Sequence, residues 1–207
     1  MFFDLIKKQE VGGEIALYDL QDWWLNSLSE NERKEIRTVY KPMGSTAPID
    51  YGKYLKTKQT RISPLGFLAI LSGWFNNSKD YQLALKIITK AEEYIKSDSD
   101  IIDLHYFYPS KIRVLNRGEP DNSSIEKIIE CCQKQIYLAP LATEAFRKEY
   151  KWNKLPVHEG YDRLISIFER EGKYNQAMHL AEQARKQGWN GDWDKLISKF
   201  QTKLNTH

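Results

Sequence analysis

The stretch EGYDRLISIFEREGKYNQAMHLAEQARKQGWN, residues 159–190, decides the fold. Tyr161, Leu164, Ile165 and Phe168 recur at steps of three and four, so a helix places them on one apolar face. Gly172 interrupts the pattern, and Tyr174, Ala177, Ala181 and Ala184 resume it with mostly small side chains. Large residues on a first helix and alanines on a second let the two backbones approach closely. The same arrangement occurs earlier, because Leu68, Leu71, Ser72, Phe75, Tyr81, Ala84, Ile88 and Ala91 align with Tyr161, Leu164, Ile165, Phe168, Tyr174, Ala177, Ala181 and Ala184 at a constant offset of 93.

These residues resemble the tetratricopeptide repeat family, whose pattern runs from an aromatic or Leu through Leu, a small residue and a Tyr or Phe to two Ala about seven apart. Gly172-Lys173-Tyr174-Asn175-Gln176-Ala177 is similar to the turn and second-helix start of such a repeat. The resemblance covers residues 65–96 and 158–190 and, in degenerate form, 100–140, where Ile112, Leu115, Ile128, Cys132 and Pro140 fit but Gln135 stands where an alanine belongs. It implies an all-α fold, a short α-solenoid of antiparallel helix pairs.

An offset of 93 exceeds two repeat periods of ~34 residues, so the middle carries additional structure. Asp100 to Tyr108 lengthens a first helix with Pro109 kinking or restarting it, and Leu141 to Tyr150 reads as an added helix with Pro140 in its first turn. Beyond Gly191, Asp192 is an N-cap candidate for a helix carrying Trp193, Leu196, Ile197, Phe200 and Leu204 on one face, a capping element over residues 192–205 that closes the array.

Upstream, Leu17, Leu20, Trp24 and Leu28 predict one helix from Glu14 to Leu28. Ser29 and Glu32 have capping-box spacing, and Ile36 and Tyr40 continue a second helix. From Pro42 to Ser63 the period fails, and Gly44, Pro48 and Gly52 predict an extended connection of about twenty residues. The expected organisation is an N-terminal helical segment with a basic loop over residues 1–63, then the repeat region over 64–207, together one compact unit.

With 41% hydrophobic, 29% charged and 13% aromatic residues the chain is expected to fold around a real core. Lys and Arg number 31 against 28 Asp and Glu, a balance that argues weakly for a polyanionic partner. No apolar run approaches the ~18 residues of a membrane span, and the acid at Asp4 stands where a secretory signal carries basic charge. Two adjacent cysteines, Cys131 and Cys132, form neither a disulfide framework nor a zinc site alone. A cytoplasmic protein is the expectation.

Catalytic and cofactor motifs are not met. Gly44 to Lys53 has seven residues between its glycines where a phosphate loop needs four, and Tyr54 stands where a hydroxyl should follow the lysine. Asp98, Asp100 and Asp103 begin like a calcium loop, but its glycine and glutamate positions hold Asp103 and Pro109, so these acids are read as a helix cap. His105, His158, His179 and His207 are scattered without metal-ligand spacing, and His158-Glu159 reads as capping and packing. Of the adjacent Trp23 and Trp24, which cannot point the same way on a helix, one is expected near a surface or an inter-element groove.

The expected function is therefore non-enzymatic and without a cofactor: an adaptor or regulatory module holding a peptide or helix of a protein partner in a groove lined by first helices. The family resemblance places Asn76, Arg113, Arg117 and Asp162 near groove-facing positions. The alternative is nucleic-acid binding through Lys53, Lys56, Lys58 and Arg61, which crowd an acid-free loop beside Tyr51 and Tyr54. Self-association into a homodimer is a third outcome.

Overall fold

A computed structural model describes residues 11–45, 47–52, 62–118, 122–150 and 155–205. The described residues are all-α, and the chain divides into two compact units, Met1–Pro64 and Leu65–His207.

The first unit holds α1 (Gly13–Leu17), α2 (Gln21–Asn26) and α3 (Glu30–Val39). The single helix expected from Glu14 to Leu28 is two. Asp19 takes a left-handed φ of 56°, a conformation that Asp tolerates better than most residues, and the Leu20 N–H closes the turn onto the Ile15 carbonyl at 2.9 Å. The apolar period survives the break, with Leu17, Leu20, Trp24 and Leu28 all buried. Trp23 is also buried, so of the two expected positions, a surface or an inter-element groove, the surface is excluded for both tryptophans. The Ser29–Glu32 capping box forms with both reciprocal bonds.

Part of the expected extended connection is docked. Residues 49–52 lie along the start of α1, where Gly12 N–H donates to the Asp50 carbonyl at 2.9 Å and Gly13 N–H to the Gly52 carbonyl at 2.8 Å. The approach is too close for side chains: a Cβ on Gly12 would stand 2.2 Å from the Gly52 oxygen, and one on Gly13 2.3 Å from that of Ile49. Ile49 enters the core, and the Asp50 carboxylate accepts from the Arg37 guanidinium at 2.7 Å and from Trp24 Nε1 at 3.2 Å.

The second unit runs α4 (Pro64–Gly73), a 3-10 turn (Ser78–Asp80), α5 (Tyr81–Glu92), α6 (Ile101–Leu115), α7 (Asn122–Tyr150), α8 (Glu159–Arg170), α9 (Tyr174–Gln187) and α10 (Trp193–Asn205). Helices α5 to α10 each pack on the next in sequence. The residues aligned at the 93-residue offset fall on α4 and α5 and on α8 and α9, except that Phe75 lies beyond the end of α4 where Phe168 lies within α8, and Ala84, Ala91, Ala177, Ala181 and Ala184 are fully buried.

The separate helix expected after Pro140 does not exist; α7 runs unbroken through it for 29 residues. An interior proline costs about 3 kcal/mol. The stripe Ile128, Cys132, Gln135, Ala139, Ala142 and Phe146 is buried on both sides of Pro140, and its continuity outweighs that cost. Helix α6 likewise contains Pro109, and Asp100 caps it, its Oδ1 accepting from the N–H groups of Ile102 and Asp103.

Candidate functional site

The sequence-predicted groove residues fall into two neighbourhoods of the second unit. Arg117, near the end of α6, donates through Nη1 to the Phe75 carbonyl at 2.6 Å, beside exposed Asn76. One turn back on α6, Arg113 reaches Glu159 at 3.3 Å, at the start of the helix that carries Asp162. Arg163 of α8 donates to Asn116, the C-cap of α6, so α6 and α8 are joined by polar contacts. Lys53, Lys56, Lys58 and Arg61 lie outside the described residues.

Asp162 opens into a cleft of about 610 Å³ lined by Val157, Asn190, Gly191, Asp192, Lys195, Leu196 and Lys199. Helix α8 forms one wall and α10 the other. The back is built from main chain: residues 157 and 190 form an isolated parallel bridge, and the Asn190 N–H donates to the Pro156 carbonyl at 3.2 Å. Lys199 is held in an ion pair with Glu169 across the two walls.

Desolvation, and secondarily the charge of Glu159, push the Asp162 carboxyl up to about 6. Solvent reaching the exposed side of the residue tempers that shift without reversing it. The cleft thus offers a partly desolvated acid, the apolar edges of Val157 and Leu196, and two lysines at its rim. Among the described residues no cluster of three or more His, Cys, Asp or Glu side chains has the arrangement of a metal site.

Behind the cleft sits a polar assembly that sequence spacing did not reveal. His105 of α6 and His158, the N-cap of α8, are 53 positions apart in the chain, yet their ring centroids are 5.3 Å apart. Both are buried, and Trp189 lies against both, stacked on His105 at 5.0 Å and edge-on to His158 at 4.7 Å. His158 Nδ1 accepts the Tyr161 N–H at 3.3 Å, so the expected capping and packing role is the one it fills. Gln135 completes the assembly: its Nε2 donates to the His105 carbonyl at 3.0 Å, and its Oε1 accepts the Gly160 N–H at 2.7 Å.

Each of those contacts repairs a local defect. Residue 109 is proline and has no N–H, so the carbonyl of residue 105 has no helical donor four residues on. Gly160 lies in the first turn of α8, where N–H groups have no intrahelical acceptor. Its glycine identity is steric, since a Cβ would stand 2.8 Å from Gln135 Oε1 and 3.0 Å from the Cys132 carbonyl oxygen. The only sequence signal of this arrangement is a glutamine at a position where the repeat pattern has alanine.

Comparison with known proteins returns no matching family model, no matching curated protein and no matching solved structure.

Proposed function

We propose that the second unit is a short solenoid of tetratricopeptide type that binds an extended peptide of a protein partner, with the α8–α10 cleft as its anchoring point and a lysine or arginine of the peptide on Asp162. One observation carries the reading: the cleft lies between α8 and α10, and among the described residues no cation pairs with the carboxyl that it holds. A cation supplied by a ligand restores the solvation that burial removes from that carboxyl, and a charge-assisted bond of this kind contributes about 1.5–3 kcal/mol. Val157, 53% exposed, and Leu196 give the stem of a long basic side chain an apolar surface to lie on. Adaptor function without chemistry follows from this reading, as does a cleft that is selective for charge and length rather than for a reacting group.

Nucleic acid is the weaker reading. Of the cations outside the 53–61 loop that would serve it, Lys111 is paired with Glu92, Arg113 with Glu159, and Arg117 with a backbone carbonyl.

The test is selection of a displayed random-peptide library on the immobilised full chain at physiological salt. Peptides enriched in Lys or Arg are expected, and Asp162→Asn, which preserves shape and removes charge, should weaken them by about ten- to hundredfold. Selected peptides without a basic residue, or equal affinity for D162N, would refute the assignment.

A further inference from the structure

His158 caps α8 in a way open to only one protonation state. Its Nδ1 accepts the Tyr161 N–H, so the ring's single proton sits on Nε2, and a second proton can go only to Nδ1. That proton turns the cap into a donor facing a donor. The same tautomer argues against a metal on this ring, since Nε2 carries hydrogen in the neutral form.

Among the described residues the surroundings bring no carboxylate to an imidazolium. From α6 the ring meets His105, from α8 Tyr161 at 4.6 Å, and from the α9–α10 connection Trp189. From α7, Phe146 packs on His105 at 5.0 Å, and Gln135 supplies backbone oxygen. The Tyr161 phenol donates to Gln187 Oε1 and, pushed up to about 12 by burial, stays neutral. Among the described residues, His105 Nδ1 and His158 Nε2 are buried without a hydrogen-bond partner.

Resting on the reading of the α8–α10 cleft as a binding site, we propose that His158, backed by His105, is an acid-operated latch on that cleft: protonation of His158 uncaps α8 and frees its leading segment, and with it the Val157–Asn190 bridge that forms the cleft's back. The segment is short and meets the α9–α10 connection at one backbone bridge, while Gln135 holds the Gly160 N–H from behind.

The direction of the pH effect follows from burial. His105 is held down to about 4 by desolvation, and His158 to about 3 by desolvation first and by His105 second, against carbonyls of residues 135 and 158 that act in the opposite sense. A histidine released by opening returns to its ordinary 6.5 and takes up a proton that the closed state refuses. Opening is therefore favoured as pH falls below about 6.5, and between pH 7.5 and 5 its equilibrium constant rises about thirtyfold for each histidine released.

Hydrogen exchange of the full chain without any peptide, corrected for the intrinsic rate at each pH, tests this. In the wild type, protection in segments 155–162 and 187–192 is expected to fall by at least about thirtyfold from pH 7.5 to 5 while α5 is unchanged. In His158→Asn, whose Oδ1 accepts the same N–H without titrating, the response should shrink to the His105 share. Protection that is constant with pH, that falls equally in α5, or that falls as steeply in H158N overturns the latch; if H158N does not fold, the wild-type series alone decides. Because no ligand is present, a latch that opens while D162N leaves peptide affinity untouched would sink the cleft reading and not this one.

Discussion

Replacing Gln135 by alanine restores the residue that the repeat pattern would have at that position, and it should nonetheless be among the most damaging single changes in the second unit. The side chain is fully buried and joins three helices through two hydrogen bonds. Its loss leaves the His105 carbonyl, which Pro109 has deprived of a helical donor, and the Gly160 N–H, which α8 cannot satisfy, both without partners. Each of the two orphaned groups costs about 1–3 kcal/mol, and the space left by the side chain adds on the order of 1 kcal/mol, for a total of about 3–7 kcal/mol. That is a large part of a typical domain stability of about 5–15 kcal/mol. Urea unfolding followed by circular dichroism measures the loss. Pro109→Ala supplies an N–H for the His105 carbonyl, so in the Q135A background it should recover about 1 kcal/mol more than it does in the wild type. A Q135A cost below about 1 kcal/mol, or strict additivity of the two changes, would refute the reasoning.

Two further outcomes follow from burial and backbone geometry. Gly13→Ala places a Cβ 2.3 Å from the Ile49 oxygen at a residue with φ of 57°, and should destabilise the first unit by about 2 kcal/mol or more, read as lost hydrogen-exchange protection in α1 and residues 49–52; a change under 0.5 kcal/mol would contradict the observed approach. Burial pushes the Cys131 and Cys132 thiols up to about 11 and about 12, so iodoacetamide at pH 7.5 should leave both unmodified in the native protein and alkylate both in urea, and native labelling would count against their burial.

Much of the architecture was legible because its causes are local. Apolar residues at steps of three and four located the helices, and the paired alanines marked where two of them meet, as the burial of Ala177, Ala181 and Ala184 bears out. Caps were equally readable at Ser29 and Asp100, where a side-chain oxygen and the N–H groups that donate to it lie within three residues. Proline misled. Read locally, Pro140 starts a new helix, whereas the stripe from Ile128 to Phe146 keeps α7 continuous, since burial against other helices is energy that no window of sequence contains. Asp19 misled in the opposite sense: the apolar period from Leu17 to Leu28 holds, but a single left-handed residue divides the helix while leaving Leu17, Leu20, Trp24 and Leu28 inward.

The candidate site divides along the same line. The family resemblance put Asp162 near a groove-facing position; that α10 would face it across a cleft could not be read, because residues 162 and 195 are brought together only by the packing of α8, α9 and α10. His105, Gln135 and His158 belong to three different helical segments, and their bonds cross 25 to 30 positions of chain. The sequence by itself determined where helices form, how they are capped and which faces turn inward, since those depend on neighbours within a turn or two. Tertiary structure alone decided which polar groups meet in the interior, because a buried donor takes its partner from whichever helix packs beside it.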